Sequence, residues 1–165
     1  IASNILMRVM KQKLKDVQKT NLIISKKFSE RFELIVNKYN SRTNQEDVVE
    51  VFEELIKFKK ELEEAIGEGK YLGLSYEEKA FFDALGVDPE IKKLMKDEVL
   101  IEIAKDLVDT VRKYRTHDWT RKQQALARMR LQIKLVFKKH NYPPNKAPQA
   151  VEAVLEQAKL QASGM

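Results

Sequence analysis

Apolar residues return every three or four positions along almost the whole chain, and nowhere do they settle into the period of two that a half-buried strand requires. From Ile5 to Val17 the series is Leu6, Met10, Leu14 and Val17; after Lys19-Thr20-Asn21 a second runs through Ile24, Phe28, Phe32, Ile35 and Tyr39. Two helices are predicted. Asn40-Ser41-Arg42-Thr43-Asn44 interrupts the pattern, with Asn44 placed as an N-cap and Glu46 and Asp47 in the first turn of the next helix, where its dipole favours acids. That helix is predicted to run to about Ile66 through Val48, Phe52, Leu55, Leu62 and Ala65, and to be closed by Gly67, Gly69 and Gly73.

Ser75, with Glu78 three positions later, forms a capping-box signature for a short helix that presents Phe81, Phe82 and Leu85 and stops at Gly86. Asp88-Pro89 reads as N-cap and first turn of another short helix through Leu94 and Met95. From about Glu98 the set Leu100, Ile103, Ala104, Leu107, Val111 and Tyr114 marks one face of a longer helix. The next is predicted to open at Trp119 and to last until about Lys139, because Pro143 and Pro144 cannot continue it. A last helix from about Ala147 carries Val151, Val154, Leu155 and Ala158. The expectation is an all-α fold, a compact bundle of about six to eight helices, some short. Residues 1–21 are read as a lead-in helix or linker from a preceding domain, and 22–165 as a single helical C-terminal domain.

Composition narrows this little. At 165 residues the chain can bury a core without staples, and its 5 Gly and 4 Pro suit a mostly helical protein. The absence of Cys fits a reducing cytoplasm, the predicted location. No run of residues is apolar for long enough to span a membrane, so no membrane partner is expected, and the domain is expected to be monomeric. The chain starts at Ile1 rather than Met and enters directly into an amphipathic pattern, which reads as a piece of a longer protein.

Charge changes the picture more. Between Thr110 and His140 ten basic residues face Asp118 as the only acid, a local net charge of +9 in a chain whose total is +6, so the rest of the molecule is slightly acidic. At 100° per residue Trp119, Leu126, Met129, Ile133 and Phe137 project to one side, which makes that side the core face and Trp119 a packing anchor in preference to a base-stacking ring. Arg130, at the border of that face, is expected to pair with Asp106, Asp109 or Asp118. Arg121, Arg128 and Lys139 point the other way and Lys134 and Lys138 lie on a flank; these five are either a solvated face or contacts for an outside partner. Leu131 and Leu135 also point away from the core stripe, so either a further helix covers them or they form a docking patch inside the positive surface. The helices around Arg115-Thr116-His117-Asp118 could suggest a helix-turn-helix DNA reader, but the second is unusually long for a recognition helix.

Catalytic constellations are missing. There is no phosphate-binding G-x-x-x-x-G-K-[ST] loop, and His117 and His140 complete no metal motif. Two E-x-K triplets, Glu77-Glu78-Lys79 and Glu90-Ile91-Lys92, fall in predicted helices rather than behind an acidic strand and read as solvated surface. No catalytic, cofactor or metal residue is assigned.

One ordered set of short pieces resembles a known family. Tyr39-Asn40-Ser41-Arg42, the run Leu74 to Leu85, Asp118-Trp119, Ala127-Arg128-Met129-Arg130, Asn141-Tyr142-Pro143-Pro144 and Val154-Leu155-Glu156-Gln157-Ala158 are similar, in this order, to the C-terminal helical domain of the restriction (R) subunit of type I restriction-modification enzymes. Gln123 and Leu126 depart from it, since the family commonly has an acid and a basic residue there. The resemblance implies a parent polypeptide with an upstream nuclease domain and two RecA-like motors that use ATP and Mg²⁺ to pull DNA, and partners in the modification and specificity subunits. It also implies a docking role for this domain. The alternatives are a direct contact with double-stranded DNA and a free-standing helical adaptor. Trp119, Arg130, Tyr142 and Pro143 are assigned as structural anchors. Trp119→Ala is expected to lower unfolding stability by about 3–5 kcal/mol, the usual range for a large buried aromatic. Chemical denaturation measures this, and a change below about 1 kcal/mol would place the ring at the surface.

Overall fold

The computed structural model describes residues 2–163, and its described residues form eight helices and no strand. They are α1 (Ala2–Gln18), α2 (Leu22–Asn40), α3 (Gln45–Tyr71), α4 (Tyr76–Leu85), α5 (Ile91–Leu94), α6 (Asp97–Tyr114), α7 (Gln123–Lys139) and α8 (Ala147–Ser163). The first three pack on one another around Met10, Leu14, Ile24, Phe28, Leu55, Phe58 and Leu62, and α1 thereby lies against both α2 and α3. The second group is a ring in which α6 joins α4 to α7 and α8 closes the circuit from α7 back to α4. Its core includes Phe81, Phe82, Leu85, Leu100, Ile103, Leu107, Ile133, Phe137, Val154 and Leu155, all almost fully buried.

Local chemistry explains most helix ends. Asn44 accepts a hydrogen bond from the Asp47 amide at 2.9 Å, and the Ser75–Glu78 capping box is closed in both directions, at 3.1 and 2.8 Å. Three predicted boundaries need correction. α3 runs through Gly67 and Gly69 to Tyr71, and only Gly73, at φ 74°, ends it, with the Leu74 amide donating to the Gly69 carbonyl at 2.7 Å. Gly69 is needed for another reason: a Cβ there would stand 2.9 Å from Cγ of Lys79, so its absence lets α4 approach α3. α5 starts only at Ile91, because the Asp88 carboxylate takes the Glu90 amide at 3.0 Å and makes a separate turn. α7 starts at Gln123, not at Trp119, since Asp118 at φ 55° and the bonds Trp119 N to Thr116 O and Arg121 N to Asp118 O form a turn of their own.

A polar joint connects the two groups. The side chain of Asn21, in the α1–α2 turn, accepts from the Ile24 amide and donates to the Asp83 carboxylate on α4 at 2.7 Å. Asp83 in turn receives the Lys79 ammonium at 2.5 Å, and Glu68 of α3 lies 3.5 Å from the same ammonium. On the other side Gln157 of α8, fully buried, accepts from the Leu22 amide and donates to the Thr20 carbonyl, both at 2.9 Å. Burial pushes the Asp83 carboxyl above the ordinary carboxylate range, against the pull of the Lys79 ammonium and the Asn21 amide. A carboxyl raised in this way adds stability below its unfolded pKa of 3.8 and loses it as pH rises through the folded value. At neutral pH the ionised pair therefore fixes how the two groups meet more than it adds net stability.

Asp83→Ala, which leaves the Lys79 ammonium buried beside Glu68 alone, should cost about 3–5 kcal/mol in urea unfolding. Lys79→Met combined with Asp83→Leu should recover more than half of that loss, because the joint then holds two apolar side chains and no buried charge. Equal losses in the two proteins would show that the charge pair itself supplies the stability.

Candidate functional site

α7 is buried along one side and open along the other because its apolar residues follow the helical period. Met129, Ile133, Val136 and Phe137 are in the core, with Leu126 half-buried against it. Trp119 is 3% exposed, held in the core by the turn before α7, and its Nε1–H has no hydrogen-bond acceptor. The opposite side carries Arg128, Leu131, Lys134, Leu135, Lys138 and Lys139, all exposed, while Arg121, also exposed, lies in the turn before the helix and not on its outer face. Leu131 is 53% and Leu135 48% exposed, so no described helix covers them.

Arg130 does not pair with Asp106, Asp109 or Asp118. It crosses from α7 to α8, where its Nε lies 2.8 Å and its Nη2 3.3 Å from the two oxygens of Glu152. The two-pronged contact holds the Glu152 carboxyl below its ordinary range and raises the guanidinium. Asp106 on α6 is occupied by the C-terminal end of α7, receiving Lys139 at 3.2 Å and His140 at 2.9 Å. Partial burial works against its ionisation, but the hydrogen bonds from His140 and Lys139 prevail and hold its carboxyl below the usual value. Lys139, counted by periodicity among the outward cations, is thus also tied to the fold.

Among the described residues, Arg121, Lys122, Arg128, Lys134 and Lys138 have no acid within ion-pair distance. α7 also begins without a side-chain cap, unlike α3 and α4, and without an acid in its first turn, unlike α3, α4 and α6. Its helix dipole therefore adds to the positive potential of Arg121, Lys122 and Arg128.

The turn after α7 is locked. Asn141 takes φ 56°, Tyr142 packs its ring 4.6 Å from that of Phe137, and its hydroxyl donates to the Leu85 carbonyl at the end of α4 at 2.6 Å. Burial raises the Tyr142 phenol well above its ordinary pKa, so it stays a donor. Pro143, half-buried, offers its carbonyl to the Lys146 and Ala147 amides and so starts α8. Lys146 then reaches Asp88 at 2.8 Å and Glu90 at 3.1 Å, joining this turn to the one before α5. The hydrogen bond from Lys146, with that from the Glu90 amide, holds the Asp88 carboxyl below its ordinary range.

The E-x-K triplets are absorbed by the fold. Glu77 pairs with Arg112 at 2.7 Å, Glu78 closes the capping box, Lys79 belongs to the joint, Glu90 meets Lys146, and the Lys92 ammonium sits 4.1 Å above the Phe82 ring. No group of three or more His, Asp or Glu among the described residues is placed to hold a metal ion. Among the described residues no helix is long and apolar enough to cross a membrane. Sequence reasoning missed Glu152, Asp83 and Gln157. Only Gln157 left a trace, as a polar residue close to Val154 and Ala158 in the apolar pattern of α8.

Comparison with known proteins agrees with the ordered pieces noted in the sequence. The family described as "Type I restriction enzyme HindI endonuclease subunit-like, C-terminal" matches residues 1–164. The type I restriction enzyme HindI endonuclease subunit of Haemophilus influenzae is 38% identical over 151 residues, covering 92% of this chain. A putative type I restriction enzyme MjaIXP endonuclease subunit of Methanocaldococcus jannaschii is 33% identical over 137 residues, 82% of the chain. The aligned part is only 14% and 13% of those two proteins. No solved structure matches. With a family match over nearly its whole length, this chain belongs to the C-terminal domains of type I restriction enzyme endonuclease subunits.

Proposed function

We propose that this domain is a non-catalytic docking module, through which an ATP-dependent, DNA-translocating and DNA-cleaving R subunit seats on its modification and specificity subunits. ATP and Mg²⁺ serve parts of the parent polypeptide outside this chain. The observation that carries the reading is the outward side of α7, where Leu131 and Leu135 stand exposed one turn apart beside Arg128, Lys134 and Lys138, which have no ion-pair partner among the described residues. A phosphate backbone rewards the cations but gives little to two leucines, whereas a protein surface can use both. The second reading, direct contact with duplex DNA, draws on the other end of the helix, where Arg121, Lys122 and Arg128 surround its uncapped first turn.

Charge reversal separates the two. Lys139 is left intact because it holds Asp106, and Arg121, Arg128, Lys134 and Lys138 are changed to Glu together in the complete subunit. Under the docking reading this variant binds the modification and specificity core more weakly by about 2–4 kcal/mol, and Leu131→Asp with Leu135→Asp does the same. DNA binding by the complete subunit then keeps its salt dependence. If the cations meet phosphates instead, the log–log slope of affinity against salt shrinks by about 0.9 for each phosphate that the variant no longer neutralises, and core binding is unchanged.

A further inference from the structure

Beside the exposed leucines, the second half of α7 and the first half of α8 diverge around a groove of about 560 Å³. Its walls are Phe137, Tyr142, Pro144, Ala147, Pro148 and Val151, with Lys134, Lys138 and Glu152 at the rim. The floor has no polar group to offer, since the Tyr142 hydroxyl is spent on the Leu85 carbonyl. Glu152 is neutralised by Arg130, while Lys134 and Lys138, one turn apart, have no ion-pair partner among the described residues. The groove is thus apolar below and positive along one edge, and Leu131 and Leu135 stand exposed on the same helix outside it.

We propose that this groove captures an acidic segment bearing one or two large apolar side chains, carried by the modification and specificity core. The inference rests on the docking reading above and assigns its anchor point. A small ligand would want several convergent polar groups in a pocket of this size, and this one offers only Lys134 and Lys138, both at its rim. Nucleic acid would leave the apolar floor unused. A second copy of the subunit could approach only with a different surface, such as the acidic face of α3 around Val49 and Glu53, and such a head-to-tail contact need not close. An acidic segment instead sets its apolar side chains on Pro144, Ala147 and Pro148, over the buried Phe137, Tyr142 and Val151, and its carboxylates against Lys134 and Lys138.

The test places a photoreactive side chain at two points of the complete subunit, Pro148→p-benzoylphenylalanine in the groove and Leu135→p-benzoylphenylalanine outside it. Each is irradiated with the purified modification and specificity core and a DNA duplex. Position 148 should attach to a core peptide whose neighbouring residues carry more Asp and Glu than Lys and Arg. Ala147→Trp, which fills the groove, and Lys134→Glu with Lys138→Glu should each lower affinity for the core at least about tenfold, while Lys134→Arg with Lys138→Arg retains it. Attachment to the core from position 135 alone, with Ala147→Trp binding normally, overturns the groove and leaves the docking reading standing. Attachment of position 148 to DNA, to a second copy of the subunit or to a basic peptide also overturns the groove. Attachment at neither position overturns both.

Discussion

Side chains from two helices, Asp83 of α4 and Gln157 of α8, take hold of one short turn. Asn21 gives the turn its cap and its bond to Asp83, Lys79 brings the ammonium that allows Asp83 to be buried, and Gln157 holds the backbone of Thr20 and Leu22 from α8. Each of these groups would be costly to bury alone. They are satisfied only when α1–α3 and the ring of α4, α6, α7 and α8 meet in one arrangement. Apolar contacts between two helical groups tolerate sliding; hydrogen bonds with fixed donors and acceptors do not. Gly69 belongs to the same constraint, because the stem of Lys79 occupies the space where a Cβ would stand.

The placement of α7 depends on that ring. Its core face is fixed by Met129, Ile133, Val136 and Phe137, its middle is held by Arg130 to Glu152 on one neighbour, and its C-terminal end by Lys139 and His140 to Asp106 on the other. The exposed pairs among these each contribute on the order of 1 kcal/mol or less. Their effect is orientation: they fix which side of α7 remains outside. The locked turn at Tyr142 sets where α8 leaves α7 and so shapes the groove between them. An outward surface built on a fixed helix suits recognition, because little ordering is left to be done on binding.

The helices were legible in the sequence because each has an unbroken apolar period, and two starts were legible because Asn44 and Ser75 carry their caps within four residues. What failed was local competition. Three glycines looked like one helix end, yet two of them lie inside α3, and at Gly69 packing against Lys79 decides. Trp119 fitted the angular pattern of α7 but enters the core from a turn, since a side chain that large can reach the same space from a different backbone. Periodicity also sorted the faces of α7, while the partner of Arg130 lies 22 residues away and is fixed by how α8 crosses. The polar joint spans up to 137 positions along the chain, a range over which spacing carries no information.

If the joint makes the two helical groups one cooperative unit, native-state amide hydrogen exchange tests it most directly. The slowest amides near Phe58 and Leu62 of α3 should open with the same free energy as those near Ile103 and Leu107 of α6, and both should equal the global unfolding free energy. Breaking the joint with Gln157→Leu should separate them, with α1–α3 opening first. Separate opening of α1–α3 already in the unaltered protein, well below the global value, would contradict the account.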